Sequence, residues 1–303
     1  MHVQRFALPD GRWHFQHGPM DIIIGADGDA ESLQAAHTSA WLRFQTVLDE
    51  LVQELSLLRT PVRGCCRLRG SIARRMWLAC LPYSDRFITP MAAVAGAVAE
   101  ELVGCYSGPG VTRAWINNGG DIALHLAPGQ AIQIGLYADL GQLDDTQLKS
   151  GIEIDGQFRL TSSMPVRGVA TSGWRGRSFS LGIADSVTVL AQTAASADAA
   201  ATVIANAVNI DDPRIARRPA CELKDDADLG DIPVTVGVAA LESDLVQQAL
   251  RAGRLQAQKL REQGLIWSAA LVCQNQVATT DTSFLTATRA RRSAGQAHLA
   301  MIA

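Results

Sequence analysis

The chain has 303 residues, of which 48% are hydrophobic and 19% charged, with a formal net charge of −3 at pH 7. That length and apolar content can bury a large core, as one domain or two packed lobes. The mild acidity argues against nucleic acid as the main partner, because phosphate-backbone binding calls for a basic surface. No apolar run reaches the roughly 20 residues that span a bilayer, and the start Met1-His2-Val3-Gln4-Arg5-Phe6 lacks the basic-then-apolar order of a secretory signal. The expectation is a cytoplasmic protein without a membrane partner. Cys65, Cys66, Cys80, Cys105, Cys221 and Cys273 contain no C-x-x-C pair and no His at finger spacing, so reduced thiols are expected rather than a metal clamp.

Residues 13–16 and 20–24 read as a hairpin around His17-Gly18-Pro19. From 31 to 58 apolar side chains recur at Trp41, Phe44, Val47, Leu48, Leu51, Val52 and Leu55, the spacing of an amphipathic helix lying on a sheet. Thr89-Pro90, a cap followed by proline at the first helical position, opens a second helix whose body, 91–102, is nearly all small residues. Another backbone or a ligand can approach such a face closely. Strands at 113–118 and 122–126 flank Gly119-Gly120-Asp121, whose glycines accept positive φ and expose N–H groups, as a hairpin turn or a phosphate cradle requires.

Further strands are expected at 131–137 and 151–160, then a turn at Thr171-Ser172-Gly173, a strand at 186–190 and an alanine-rich helix from 196 to 208. Residues 209–231, with Asp211-Asp212-Pro213 and Asp225-Asp226-Ala227-Asp228, read as a long acidic surface connection. A strand at 233–238, a polar-faced helix at 243–264 and a final strand at 266–272 follow. One domain over 1–285 and a frayed C-terminal tail over 286–303 are expected. Strands and helices in irregular order, without an internal repeat, give an α+β fold with mixed or antiparallel sheets packed on small-residue helices.

Two features carry chemistry. Asp198 and Thr202 stand four residues apart, on one face of a helix, where two hard oxygens can meet Mg²⁺. The competing reading makes Asp198 a first-turn cap and Thr202 a packing residue. Arg63, Arg67, Arg69, Arg74 and Arg75 form a dense basic cluster, readable as solvated surface or as an anion site. Arg289, Arg291 and Arg292 form another.

The motifs Asn117-Asn118-Gly119-Gly120-Asp121-Ile122, Ala170-Thr171-Ser172-Gly173, Ser186-Val187-Thr188-Val189-Leu190 and Ala197-Asp198-Ala199-Ala200-Ala201-Thr202 resemble, in order and style, those of ApbE-like proteins. His17-Gly18-Pro19-Met20-Asp21-Ile22, Arg74-Arg75-Met76, the run Arg86-Phe87-Ile88-Thr89-Pro90-Met91 with its continuation to Gly96, and Asp228-Leu229-Gly230-Asp231 bring the resemblance closer to an uncharacterised branch of that superfamily. The resemblance runs from about residue 12 to 240. Characterised members are FAD:protein FMN transferases, which use Mg²⁺ to split FAD and attach FMN to a Thr or Ser hydroxyl of a target flavoprotein. The resemblance implies that Asp198 and Thr202 help hold Mg²⁺, and that Asn118, Gly119, Gly120, Thr171, Ser172 and Gly173 line a site for FAD. Asp121 and Asp198 become the candidate catalytic carboxylates, with Arg74 and Arg75 as candidate contacts to an anionic small molecule.

Three departures open a second reading. The transferases carry a His and an Asp-Pro-x-Thr-Gly between the Thr-Ser-Gly and Ser-Val-Thr-Val elements, whereas residues 174–185 here hold neither histidine nor proline. They also carry Gly-x-x-Lys-Gly on the helix corresponding to 92–102, which has no lysine here, and an early Met-Gly-Thr that this chain lacks. A flavin-independent hydrolase or lyase acting through Arg74, Arg75 and Asp121 fits those departures, and a non-catalytic nucleotide-binding protein is a third reading. A homodimer is expected from the alanine-rich helix and the apolar fraction.

Overall fold

Period-two alternation in the middle of the chain builds an antiparallel sheet with two unlike apolar faces. The computed structural model describes residues 2–136, 156–281 and 299–301. Its main sheet is formed by β1 (Gln4–Ala7), β2 (Trp13–His17), β3 (Met20–Gly28), β4 (Val111–Asn118) and β5 (Asp121–Leu126), and, later in the chain, β8 (Gly168–Ser172), β9 (Ser186–Ala191), β12 (Ser268–Cys273) and β13 (Gln276–Thr279). In that order they make nine strands, with antiparallel pairing between neighbours. Ala114, Ile116, Ala123, Ala170, Val187 and Val189 enter the large core on the helical side. Their neighbours Trp115, Ile122, Leu124, Val169 and Leu190 enter a smaller core on the other face. There β6 (Ala131–Leu136) and β7 (Gly156–Thr161) contribute Ile132, Ile134 and Leu160. The fold is α+β.

Five longer helices among the described residues lie on the large core: α1 (Ala30–Gln53), α2 (Ser71–Cys80), α3 (Val94–Val103), α4 (Ala194–Ala207) and α5 (Ser243–Glu262). Helix α1 starts where the Asp29 carboxylate accepts from the Ser32 amide at 2.9 Å, and it buries Ala36, Ala40, Phe44, Val47 and Leu51 at helical spacing. A single turn, Leu55–Leu58, continues the expected helix. The expected helix from Thr89 begins instead as a 3₁₀ turn, Pro90–Ala93, before α3. Helix α4 keeps only a narrow polar stripe, Asp198, Thr202 and Asn206 at four-residue spacing. Ala194, Ala195, Ala197, Ala199, Ala200, Ala201, Val203, Ile204 and Ala205 are all buried, because the helix is enclosed between α3 and the sheet.

Two glycines permit that enclosure. A Cβ at Gly96 of α3 would stand 2.3 Å from the Ala194 carbonyl oxygen, and one at Gly168 of β8 would stand 2.2 Å from the Thr193 carbonyl oxygen. Backbone therefore meets backbone on both sides of the start of α4.

Several expectations are corrected. Thr171 and Ser172 are not a turn but the end of β8, paired with Thr188 and Val187 of β9. The acidic stretch 209–231 contains β10 (Ile215–Pro219), paired with β11 (Pro233–Val238), and a helical turn Ala220–Leu223. Its alternation is hidden because only Ile215 of β10 is fully buried. The strand after α5 is followed by β13, reached through Gln274 and Asn275 at positive φ. In the C-terminal stretch, β14 (Leu299–Met301) pairs in parallel with β6 at positions expected to fray, while 286–298 and the arginines at 289, 291 and 292 lie outside the described residues. Part of the expected strand at 151–160 does too. All six cysteines are free thiols, and no helix among the described residues is long and apolar enough to cross a membrane.

Gly96→Ala is expected to destabilise the protein by about 1–3 kcal/mol or more in urea unfolding, because the clashing atoms are backbone. Gly104→Ala, at the end of α3 with helical φ and nothing within 4 Å of the added carbon, is the control and should leave stability unchanged or slightly raised.

Candidate active site

Helix α3 begins without a cap of its own, since Ala93 has no side-chain acceptor. The acceptor comes from α4: Asp198 Oδ2 accepts from the Gly96 amide at 2.9 Å, and the carboxylate also takes the Ala95 amide. In return Glu100 of α3 accepts the Ala195 amide, at 3.2 Å, at the start of α4. Asn118, the last residue of β4, donates from Nδ2 to the Ala95 carbonyl at 3.1 Å. Asp198 is thus a cap, as one sequence reading held, but of the neighbouring helix; α4 itself is capped by Thr193, which accepts from the Ser196 amide.

Asp121 reaches the same place from the sheet. Gly119 and Gly120, at φ +65° and +107°, form the two-residue turn of the β4–β5 hairpin, with Asn118 opposite Asp121. Gly120 donates its amide to Asn117 Oδ1 at 2.8 Å. Asp121 Oδ1 accepts the Thr171 amide at 3.1 Å, which ties the glycine turn to the end of β8 across 50 residues of chain. The Gly120 and Thr171 amides, expected as free donors, are therefore already bonded within the protein. Thr171 Oγ1 pairs with Thr188 Oγ1 at 3.0 Å.

The two carboxylates perturb one another. Burial pushes Asp121 well above the usual carboxylate range, the Asp198 charge adds to the rise, and the Thr171 N–H opposes it. Burial pushes Asp198 up to about 7 against the pull of the Gly96 and Ala95 amides. Neither carboxylate has a cationic partner among the described residues. One turn beyond Asp198, the Thr202 hydroxyl is partly exposed and has no partner among the described residues, although Thr38 and Thr60 bond back to the carbonyl four residues earlier.

No group of three or more His, Cys, Asp or Glu that could hold a metal occurs among the described residues. Two carboxylates and a free hydroxyl still suit Mg²⁺, which keeps much of its shell for water and substrate phosphate. Ser172 at the end of β8 is partly exposed with no side-chain partner among the described residues, and Gly173 is packed against the Asp185 carbonyl.

The arginines do not join this cluster. Arg74 and Arg75 lie on α2 and line a separate groove of about 620 Å³, whose walls include neither Asp121, Asp198 nor Thr171. A cation the sequence reading missed lies nearer: Arg177 Nη1 is 3.6 Å from where a Gly119 Cβ would stand, and the side chain is exposed without an ion pair among the described residues. Arg177, with Arg175 two residues before it in a Gly- and Ser-containing loop, carries no periodicity to betray it.

An α+β scaffold that brings a carboxylate from a glycine hairpin against one on an alanine-rich helix accords with the ApbE-like resemblance. Residues 5–279 match the family model described as AbpE bacteria, and the chain belongs to that family, within the UPF0280 branch of the ApbE-like superfamily. It is 36% identical to a UPF0280 protein of Methanopyrus kandleri over 255 residues, 79% of this chain and 94% of that protein. A UPF0280 protein of Methanothermobacter thermautotrophicus is 42% identical over 140 residues, 46% of this chain and half of that protein. Among solved structures, an ApbE protein from Thermotoga maritima aligns at TM-score 0.41 and 12% identity, covering 93% of this chain and 97% of that one. The flavin transferase ApbE of Vibrio cholerae aligns at TM-score 0.37 and 11% identity, covering 92% and 97%.

Because both carboxylates hold a proton more tightly folded than unfolded, the folded state binds more protons between the ordinary carboxylate range and about 7, and stability falls as pH rises across that window. In metal-free buffer the melting temperature is expected to fall from about pH 5 to about pH 8. Asp121→Asn, which keeps the acceptor for Thr171 and removes one charge, should flatten that fall; an unchanged slope would place the pH dependence elsewhere.

Proposed function

We propose that the protein is a Mg²⁺-dependent enzyme that cleaves the diphosphate of a flavin nucleotide such as FAD, with transfer of FMN to a hydroxyl of a target flavoprotein. The observation that carries this reading is the pair of carboxylates, Asp121 buried and Asp198 partly buried, which no cation of the chain neutralises among the described residues. Two adjacent charges drawn out of water call for a proton or a bound cation. Asp198 and Thr202 would hold Mg²⁺, which when bound neutralises charge on the diphosphate oxygens as the bond breaks. Asn118, Gly119, Gly120, Thr171, Ser172 and Gly173 would line the nucleotide, with the exposed Arg177 at the turn supplying positive charge.

The residues then divide the work. The acceptor hydroxyl attacks the flavin-side phosphorus, the bond from that phosphorus to the bridging oxygen breaks, and AMP leaves with the electron pair. Asp121, whose Oδ1 is occupied by the Thr171 amide, takes the hydroxyl proton on Oδ2. With water as acceptor the products are FMN and AMP.

A second reading, a flavin-independent hydrolase or lyase acting on a small anionic substrate, is favoured by the missing histidine and lysine. It would have to use Arg177 rather than Arg74 and Arg75, which line the other groove.

The test is AMP release from FAD. Release is expected with Mg²⁺ and not with chelator, and Asp198→Asn should lower it by about 100-fold or more with little change in melting temperature, since an amide oxygen can still cap α3. Asp198→Ala should in addition cost about 1–2 kcal/mol of stability by uncapping α3. Absence of AMP release, together with a melting temperature that ignores FAD and Mg²⁺, would overturn the flavin reading.

A further inference from the structure

The groove beside α2 is built from parts the flavin reading does not use. Arg69, Arg74 and Arg75 face a single glutamate, Glu100, across its walls. That carboxylate is committed: Oε1 pairs with Arg75 Nε at 3.1 Å and Oε2 accepts the Ala195 amide at 3.2 Å. Arg75 is further fixed by Glu101 at 2.8 Å. Arg69 and Arg74 are exposed, and neither guanidinium has an ion-pair partner among the described residues. The loop that carries Arg69 is held in place, because Glu54 accepts the Arg69 and Gly70 amides at 2.7 and 2.8 Å. Two free guanidinium groups thus stand over a cavity of about 620 Å³, within the range of roughly 300–1,000 Å³ typical of small-molecule sites.

The amides at the start of α4 are not what would attract an anion here. Ala195 donates to Glu100 and Ser196 to Thr193, so positive charge in the groove comes from the arginines. Arginine forks match the paired oxygens of a phosphate group. Leu78, 57% exposed at the rim, adds an apolar wall that a bare inorganic anion would leave uncovered.

We infer that this groove is a second binding site, distinct from the carboxylate cleft, for a phosphate monoester of a small organic molecule held by Arg69 and Arg74. The site binds without Mg²⁺ and without participation of Asp121 or Asp198. Along α3 the two sites occupy different stretches: Asp198 holds the amides of Ala95 and Gly96 at its start, and Arg75 bonds the Ala97 carbonyl and the carboxylates of Glu100 and Glu101 farther on.

The test is calorimetric titration of the full chain, in chelator and at constant ionic strength, with ribose 5-phosphate and separately with inorganic phosphate. Saturable binding of ribose 5-phosphate at one site is expected, tighter than that of inorganic phosphate. The exposed double variant Arg69→Gln/Arg74→Gln, with its melting temperature checked, should weaken it at least about tenfold. Asp198→Asn should bind as the wild type does, which separates this site from the flavin reading. No binding by the wild type at about 10 mM ligand, equal binding by the double variant, or loss of binding in Asp198→Asn would each overturn the proposal. Inorganic phosphate binding as tightly as the ester would overturn the monoester assignment.

Discussion

The crossing of α3 and α4 is the contact on which the rest of the arrangement depends. Each helix lacks acceptors for some of its first amides, and each takes a carboxylate from the other: Asp198 serves Gly96 and Ala95, and Glu100 serves Ala195. The exchange works only at close range, and Gly96 supplies that range, since a methyl group there would meet the Ala194 carbonyl. A buried helix end without partners would cost several unsatisfied donors. Mutual capping therefore explains how the start of α4, where Ala194, Ala195 and Ala197 are buried, can sit in the interior.

Capping and metal binding were rival readings of Asp198, and the structure makes them compatible. Oδ2 is bonded to Gly96, so the carboxylate is held in one orientation before any ligand arrives. That rigidity is what a preorganised site needs. The same burial that fixes the group raises its proton affinity, and that of Asp121 beside it is raised too, by burial and by the Asp198 charge. A pair of this kind is an energetic liability in the folded chain, tolerable where function requires it. Ile122, the next residue, points to the opposite face and its smaller core, so on the helical side position 121 offers only its carboxylate, which accepts the Thr171 amide.

What the sequence made legible follows from pattern strength. The hairpin at Gly119-Gly120, helix α1 and the alanine-rich α4 carry long periodic or turn signals, and their places were readable. Strands β1, β10 and β13 were not: each is short, and β1 has no buried residue, so no alternation survives in composition. Thr171-Ser172 was misread because small polar residues ordinarily mark turns; pairing with β9 overrides that preference. At the site, the resemblance to ApbE-like proteins brought Asp121, Thr171 and Asp198 into one list. It could not tell that Arg74 and Arg75 face elsewhere, since α2, whose Ile72, Met76 and Cys80 recur at helical spacing but which the sequence reading did not assign, decides where they point.

Helix α3 sorts the charges of the molecule. Its start is held by a carboxylate, and its later turns hold arginine through Glu100 and Glu101. Were Arg75 to reach Asp198 instead, it would neutralise the carboxylate pair, lower both proton affinities and remove the demand for any bound cation. Glu100, Glu101 and the Ala97 carbonyl hold Arg75 through three contacts, the longest 3.3 Å. The acidic residues of α3 thus keep positive charge away from the carboxylate cleft and leave its buried pair uncompensated. Burial is the first cause of the unusual electrostatics of Asp121 and Asp198, and the tethering of Arg75 to Glu100 and Glu101 leaves that cause unopposed by this cation.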